Sequence, residues 1–356
     1  MALTILTLVP QVLPSARAAD ELLLRVGSID EMKTRNPLAP IARDADTKDV
    51  LDRVYDRPIK EWTEGLLRAF LAKGIDADED GTFEAGEYGV WSEASPVQTP
   101  LVVTVYYDFN GARWHDGAQM TVWDLYFSYH LAAMDTWFNT DVQVLFCAVG
   151  RFYESCDRQL GIRPAAKSWD AEGAMPGDPA LRAAVEFRLV EPFARFSDRT
   201  LAPLLFPAHV WSRTGGGRHE EFGCAVWIPP AEAAAKGIPE CGTADAARWG
   251  QGIPSTEPVP GSTPYRHSSA AGWNPSDADV IGSGPFRFRS WTYGAGVFLN
   301  RFEDYYVGGS YDARVASYLH VPRITGIEFL RMRTMADLIY ALKGGQIDVI
   351  RGNVGP

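Results

Sequence analysis

The spacing of apolar residues changes character twice between residues 101 and 131. Residues 101–107, Leu-Val-Val-Thr-Val-Tyr-Tyr, are β-branched and aromatic, the composition of a strand. Asn110-Gly111 follows, a pair that tolerates positive φ at low cost and so marks a turn. Residues 112–114 predict a short strand, and Asp116-Gly117 a second turn. Thr121 stands where a helix needs its N-cap, with Asp124 three residues on to complete an approximate capping box. Trp123, Phe127 and Leu131 then recur at every fourth position, the face that a helix buries. The unit is a hairpin, a turn and a capped aromatic helix.

The same reading gives the rest of the chain a coarse order. Residues 22–26 predict a first strand, followed by a polar loop through Asn36-Pro37-Leu38. Residues 47–55 have helical spacing, with Val50, Leu51 and Val54 on one side. Residues 65–73 predict an amphipathic helix, 183–189 an alternating strand, and 165–179 a surface loop. Residues 215–266 are rich in Gly, Pro and Ala without periodicity, which predicts a long surface excursion. Gly282-Ser283-Gly284-Pro285 makes a tight turn into a strand from Phe286, and 297–300 and 324–329 predict two more. Thr334, with Asp337 at the box position, caps a helix that Gly344-Gly345 ends, before a strand over 346–350.

Composition narrows the partners. With 34 basic and 45 acidic residues the formal charge is −11, which argues against nucleic acid or an anionic membrane surface. A chain of 356 residues with 46% hydrophobic content buries a large core and predicts more than one domain. Residues 1–18 read as the remnant of a secretory signal: 2–13 are mostly apolar, and Ala16-Arg17-Ala18 fits a cleavage site. Four cysteines agree with export and suggest two disulfides. Cys147–Cys156 and Cys224–Cys241 are the favoured pairs, since each closes a short loop; the sequence alone allows three pairings.

One motif implies a metal. Asp76-Ala-Asp78-Glu-Asp80-Gly81-Thr82-Phe83-Glu84-Ala-Gly-Glu87 follows the calcium-loop template position by position. Oxygen donors Asp76, Asp78, Asp80 and Glu84 fall at its first, third, fifth and ninth places. Gly81 stands at the sixth and Glu87 at the twelfth, and Thr82 offers its carbonyl. The alternative is a solvated acidic turn. A single loop predicts a structural Ca²⁺ clip rather than a sensor.

Catalytic constellations are absent from the sequence pattern. His115 and Asp116 are neighbours in a turn, so their side chains diverge and form no relay unaided. Gly282-Ser283-Gly284 lacks the spacing of a nucleophile elbow, and Gly215-Gly216-Gly217 lacks the partners of a phosphate loop.

The string Trp114-His115-Asp116-Gly117, the Thr121/Asp124 helix start and Phe127-Ser128-Tyr129 resemble the extracellular solute-binding proteins of family 5, the peptide, oligopeptide and nickel receptors of ABC importers. Further blocks fit in order: Asn36-Pro37-Leu38, His209-Val-Trp211, Gly282–Phe286, Asp304-Tyr305-Tyr306, and Ala341 to Val349. The resemblance implies an α/β, periplasmic-binding-protein-like fold (type II, cluster C): a lobe with a mixed sheet plus an inserted α+β subdomain, its second lobe largely missing. It places the sheet domain at 19–45 and 185–325, the subdomain at 46–184, and the start of the second lobe at 326–356. It implies a monomeric, extracytoplasmic receptor that binds an oligopeptide or similar solute, delivers it to permease subunits and catalyses nothing. Half a cleft predicts poor ligand binding by this chain as it stands. Candidate cleft residues are the 36–41 loop from Asn36 to Ile41, Trp137, Phe138, Trp273 and Trp291, each equally consistent with core or loop packing. A secreted hydrolase and a calcium-stabilised structural or adhesion module are the other classes.

Overall fold

The computed structural model describes residues 22–61, 67–78, 87–90, 102–122, 124–125, 128–129, 161–164, 181–188, 196, 201, 203–211, 275–306 and 322–351. Three sheets form within these residues. The first has five strands in the order β11-β1-β10-β9-β8. They are β1 (Leu23–Ser28), β8 (Phe286–Thr292), β9 (Gly296–Arg301), β10 (Gly326–Arg331) and β11 (Val349–Ile350). This sheet is mixed: β1 pairs parallel with β10 and β11, whereas β10, β9 and β8 pair antiparallel. The second is wholly antiparallel, in the order β4-β5-β7-β6. Its strands are β4 (Ala72–Ile75), β5 (Val102–Asp108), β6 (Gly161–Pro164) and β7 (Arg182–Arg188). β2 (Ile59–Glu61) and β3 (Leu67–Ala69) make a two-stranded ribbon between them in sequence.

Each large sheet carries its own core. Helix α1 (Ala45–Val54) lays Val50, Leu51 and Val54 against Val26, Phe286, Phe288, Leu299, Ile327 and Phe329 of the first sheet. Its N-cap is Asp44, whose carboxylate accepts from the Thr47 N–H at 3.3 Å. The second core gathers Phe70, Val105, Tyr107, Trp114, Leu125, Tyr129, Val185 and Phe187. Phe302, Tyr305 and Tyr306, just beyond β9, enter this second core and join the two. The short helix α2 (Ala208–Trp211) returns to the first core through Trp211, and α3 (Met335–Lys343) packs Leu338 and Ala341 near Ile347. Thr334 and Asp337 form both halves of the capping box expected for α3.

Several expectations meet a different arrangement. Residues 65–73, expected as an amphipathic helix, contribute β3 and the start of β4 instead. Residues 70–76 are buried without a break, so a one-sided helical stripe never has a solvent face to present. Helix α1 belongs to the first sheet's core, and β10 lies hydrogen-bonded beside β1 in that same sheet. Residues 122, 124, 125, 128 and 129 are helical, with Val122, Leu125 and Tyr129 in the second core. The expected face of Trp123, Phe127 and Leu131 lies outside the described residues, as do Cys147, Cys156, Cys224 and Cys241.

Candidate functional site

β1, β8 and β10 run in one direction, because two antiparallel steps through β9 restore the sense of β10 in β8. Their register sets Val26, Phe329, Val297 and Trp291 in a single row across the sheet. Ser28, Arg331 and Thr292, the last residues of the three strands, therefore reach the same carboxyl edge. In open α/β sheets that edge is where ligands bind, since the loops leaving it are free to vary over a fixed frame.

The segment between β1 and α1 covers part of this edge. The Arg35 guanidinium lies 4.7 Å from the centroid of the Trp291 ring and its Nε pairs with the Asp277 carboxylate. Trp291 is half-buried on the first core, and Tyr293, two residues on, is 78% exposed. Ile41 sits on a 3₁₀ turn (Pro40–Arg43) and is 52% exposed. Ile41 lies on the covering segment, and Trp291 lies on the strand end that Arg35 of that segment meets. Asn36 does not join them. It is fully buried, its Oδ1 accepting from the Leu38 N–H at 2.8 Å and its N–H donating to Thr34 Oγ1 at 3.0 Å. These bonds make an Asx-type turn that shapes the Asn-Pro-Leu loop from inside. Trp137, Phe138 and Trp273 lie outside the described residues.

A small recess opens at the same edge, lined by Ser28, Glu31, Asp46, Gly296, Arg331 and Arg351, among others. Both of its arginines are paired. Arg351 pairs with Asp46 at 2.7 Å and Asp49 at 3.3 Å, Arg331 pairs with Glu31 at 3.0 Å, and the Ser28 hydroxyl donates to Asp46 at 3.0 Å. Arg35, Tyr293 and this recess were not singled out from the sequence. Only the folded register brings strand ends from residues 28, 292 and 331 together, so no local signal reveals them.

The Trp-His-Asp-Gly turn lies elsewhere and has a different task. His115 is buried, with Nδ1 accepting from the Gly282 N–H at 3.2 Å and Nε2 lying 2.9 Å from the Gly284 oxygen. Burial, together with the nearby Arg287 guanidinium, pulls its pKa down to about 4 despite the Gly284 contact. Asp116 points away and pairs with His209 of α2 at 2.6 Å. Burial alone works against both charges there, yet the pair's hydrogen bond prevails, lowering the Asp116 pKa and raising that of His209. The two neighbours diverge as their positions in a turn require, and neither assembles a relayed base.

Three carboxylates of the acidic loop do converge. Asp76, Asp78 and Glu87 each offer an oxygen within 4.8 Å of the other two. Asp76 and Glu87 are buried and Asp78 is exposed. Asp80, Thr82 and Glu84 lie outside the described residues.

A mixed α/β sheet with a loop-covered carboxyl edge, joined to a second antiparallel sheet, defines a periplasmic-binding-protein-like lobe. The chain belongs to family 5 of the bacterial extracellular solute-binding proteins, described as "Bacterial extracellular solute-binding proteins, family 5 Middle", whose model it matches over residues 110–355. No curated protein sequence matches it. Among solved structures it is similar to the oligopeptide-binding protein AppA from Bacillus subtilis in complex with a nonapeptide, at 17% identity and a TM-score of 0.47 over 91% of this chain. It is likewise similar to NikZ from Campylobacter jejuni in complex with Ni(L-His), at 14% identity and a TM-score of 0.47 over 92% of this chain. OppA from Burkholderia pseudomallei aligns at 12% identity and a TM-score of 0.48 over 93% of this chain. The chain spans 43%, 42% and 46% of the lengths of those three. Among the described residues no helix is long and apolar enough to cross a membrane.

Proposed function

We propose that this chain forms the ligand-receiving lobe of a substrate-binding component of an ABC importer, which takes up an oligopeptide or similar small solute outside the membrane and presents it to the permease. The observation that carries this reading is the family match over residues 110–355. The geometry supports it: an exposed tyrosine, an arginine-stacked tryptophan and paired charges meet at the carboxyl edge of a mixed sheet. Such a surface offers stacking area and hydrogen-bonding partners for a peptide-like solute without an activated nucleophile. The component acts as a monomer and catalyses no reaction. Export through a signal at residues 1–18, with Cys147–Cys156 and Cys224–Cys241 as disulfides, belongs to the same reading. A secreted hydrolase and an adhesion module find no support in the family.

The test is capture. The whole gene product, incubated with a mixed pool of short peptides, desalted and examined by native mass spectrometry, is expected to retain intact peptides. Cleavage of the pool would identify a hydrolase and overturn the proposal. Retention of none, alongside retention of another solute class, would remove the peptide assignment.

A further inference from the structure

The loop that begins at Asp76 leaves the second sheet with both of its ends held by hydrogen bonds. β4 leaves the second sheet at Ile75, and the Asp76 N–H donates to the Thr104 oxygen at 3.1 Å, holding Asp76 against β5. The returning chain is tied to β4. Ile75 N–H donates to the Val90 oxygen at 3.2 Å and Gly89 N–H to the Lys73 oxygen at 2.8 Å. Glu87 Oε1 accepts from the Ala77 N–H, which draws the end of the loop directly onto its start.

Two independent observations meet there. The sequence places acidic side chains at the first, third and twelfth positions of the calcium-loop template, with Gly81 at the sixth, where the sharp turn needs glycine. The fold then brings the carboxylates of those three positions, Asp76, Asp78 and Glu87, within 4.8 Å of one another. A general acidic cluster has no reason to respect that order. Glu87 is nine residues from Asp78, and only the pinned strand ends make them neighbours.

We propose that Asp76, Asp78 and Glu87 bind one calcium ion, which clips the returning chain to the end of β4. Three carboxylates converging at one point, two of them buried, form an oxygen-donor set suited to a divalent cation. Each residue offers one converging carboxylate oxygen, a hard donor, and calcium, which takes six to eight oxygens in flexible geometry, would complete its shell with further oxygens such as water. Magnesium demands tighter octahedral geometry and keeps its waters, which selects against it here. Because a strand rather than a helix precedes the loop, the ion is a structural clip rather than the trigger of a helix pair.

The experiment uses the whole gene product stripped of metal with a chelating resin. Equilibrium dialysis against calcium is expected to give one ion per chain, with a dissociation constant on the order of 10⁻³ M or tighter, the range of extracellular modules. The melting temperature is expected to rise with calcium, fall back with chelator, and respond far less to magnesium. Asp78 is exposed, so Asp78→Asn is expected to fold normally in the absence of calcium and to weaken binding about tenfold or more. Glu87→Gln is expected to lose the calcium-induced rise in melting temperature. No saturable binding, an unchanged melting temperature, an equal response to magnesium, or wild-type affinity in Asp78→Asn would each overturn the proposal. Peptide capture is scored separately, so either result leaves the receptor reading where its own test puts it.

Discussion

The Nε2 of His115 lies 2.9 Å from the carbonyl oxygen of Gly284, 169 residues further along the chain. The Gly282 N–H donates to the other ring nitrogen at 3.2 Å, so the neutral tautomer with its proton on Nε2 satisfies both contacts. The Trp-His-Asp-Gly turn is thereby a bolt between the two cores. One ring ties a loop of the second sheet's core to the turn that enters β8.

That bolt predicts a pH dependence. The His115 pKa falls from 6.5 to about 4 on folding, so the unfolded chain binds the extra proton between those values. The stability contributed by its neutral form is complete above pH ~6.5 and is lost as the pH falls toward ~4. Between pH 7 and 4.5 the wild type is expected to lose about 2–3 kcal/mol more than His115→Asn in urea unfolding. Equal losses in both proteins would contradict the assignment. His209 runs the other way: its raised pKa gives stability below pH ~6.5 that is lost as the pH climbs through the folded value.

The glycines of the Gly282-Ser283-Gly284 turn answer to close approach. A Cβ on Gly282 would lie 1.9 Å from the Val54 oxygen, and one on Gly284 2.4 Å from the Arg53 oxygen, both at the end of α1. Gly282→Ala is expected to cost about 3 kcal/mol or more, since backbone must move. Ser283 is buried, yet its hydroxyl finds no hydrogen-bond partner among the described residues. Ser283→Ala is therefore expected to change stability by less than about 1 kcal/mol. Chemical denaturation of the two variants checks the contrast, and equal effects would contradict it.

How far the chain was legible follows from this turn. Residues 101–107, 297–300 and the Thr334/Asp337 cap could be read because their strand composition and capping chemistry are local. Thr121 and Asp124 were half-legible: Asp124 accepts from the Thr121 N–H at 2.9 Å, and the Thr121 hydroxyl turns toward that same carboxylate at 3.4 Å. The 65–73 segment misled because burial of residues 70–76 on both sides erases the period that separates strand from helix. A turn-forming asparagine and a ligand-binding one look alike in sequence, so the Asx-type turn at Asn36 could not be read from the string alone. The carboxyl edge was legible only as isolated aromatics, since its register is a property of the sheet.

Tyr306 and Asp56 supply a third check. The Tyr306 hydroxyl donates to Asp56 Oδ2 at 3.0 Å, and Asp56 is fully buried. Removing one donor from a buried carboxylate is expected to cost about 1.5–3 kcal/mol in Tyr306→Phe. A loss below about 0.5 kcal/mol in thermal or urea unfolding would show that the bond contributes little.

Arg35 and Trp291 separate binding from folding. Their contact lies at the partly exposed carboxyl edge, so Arg35→Ala is expected to lower stability by no more than about 1 kcal/mol. Solute affinity is expected to fall about tenfold, because the covering segment loses its anchor on Trp291. Titration of intrinsic tryptophan fluorescence with a captured peptide measures both proteins. Unchanged affinity would remove this contact from the binding surface.

The most direct measurement of the central claim is hydrogen–deuterium exchange on the whole gene product with and without a captured solute. Binding at the carboxyl edge predicts new protection in 29–43 and 291–294, with the His115–Gly284 junction unchanged. Protection confined to other regions, with 29–43 and 291–294 exchanging as in the free protein, would contradict it.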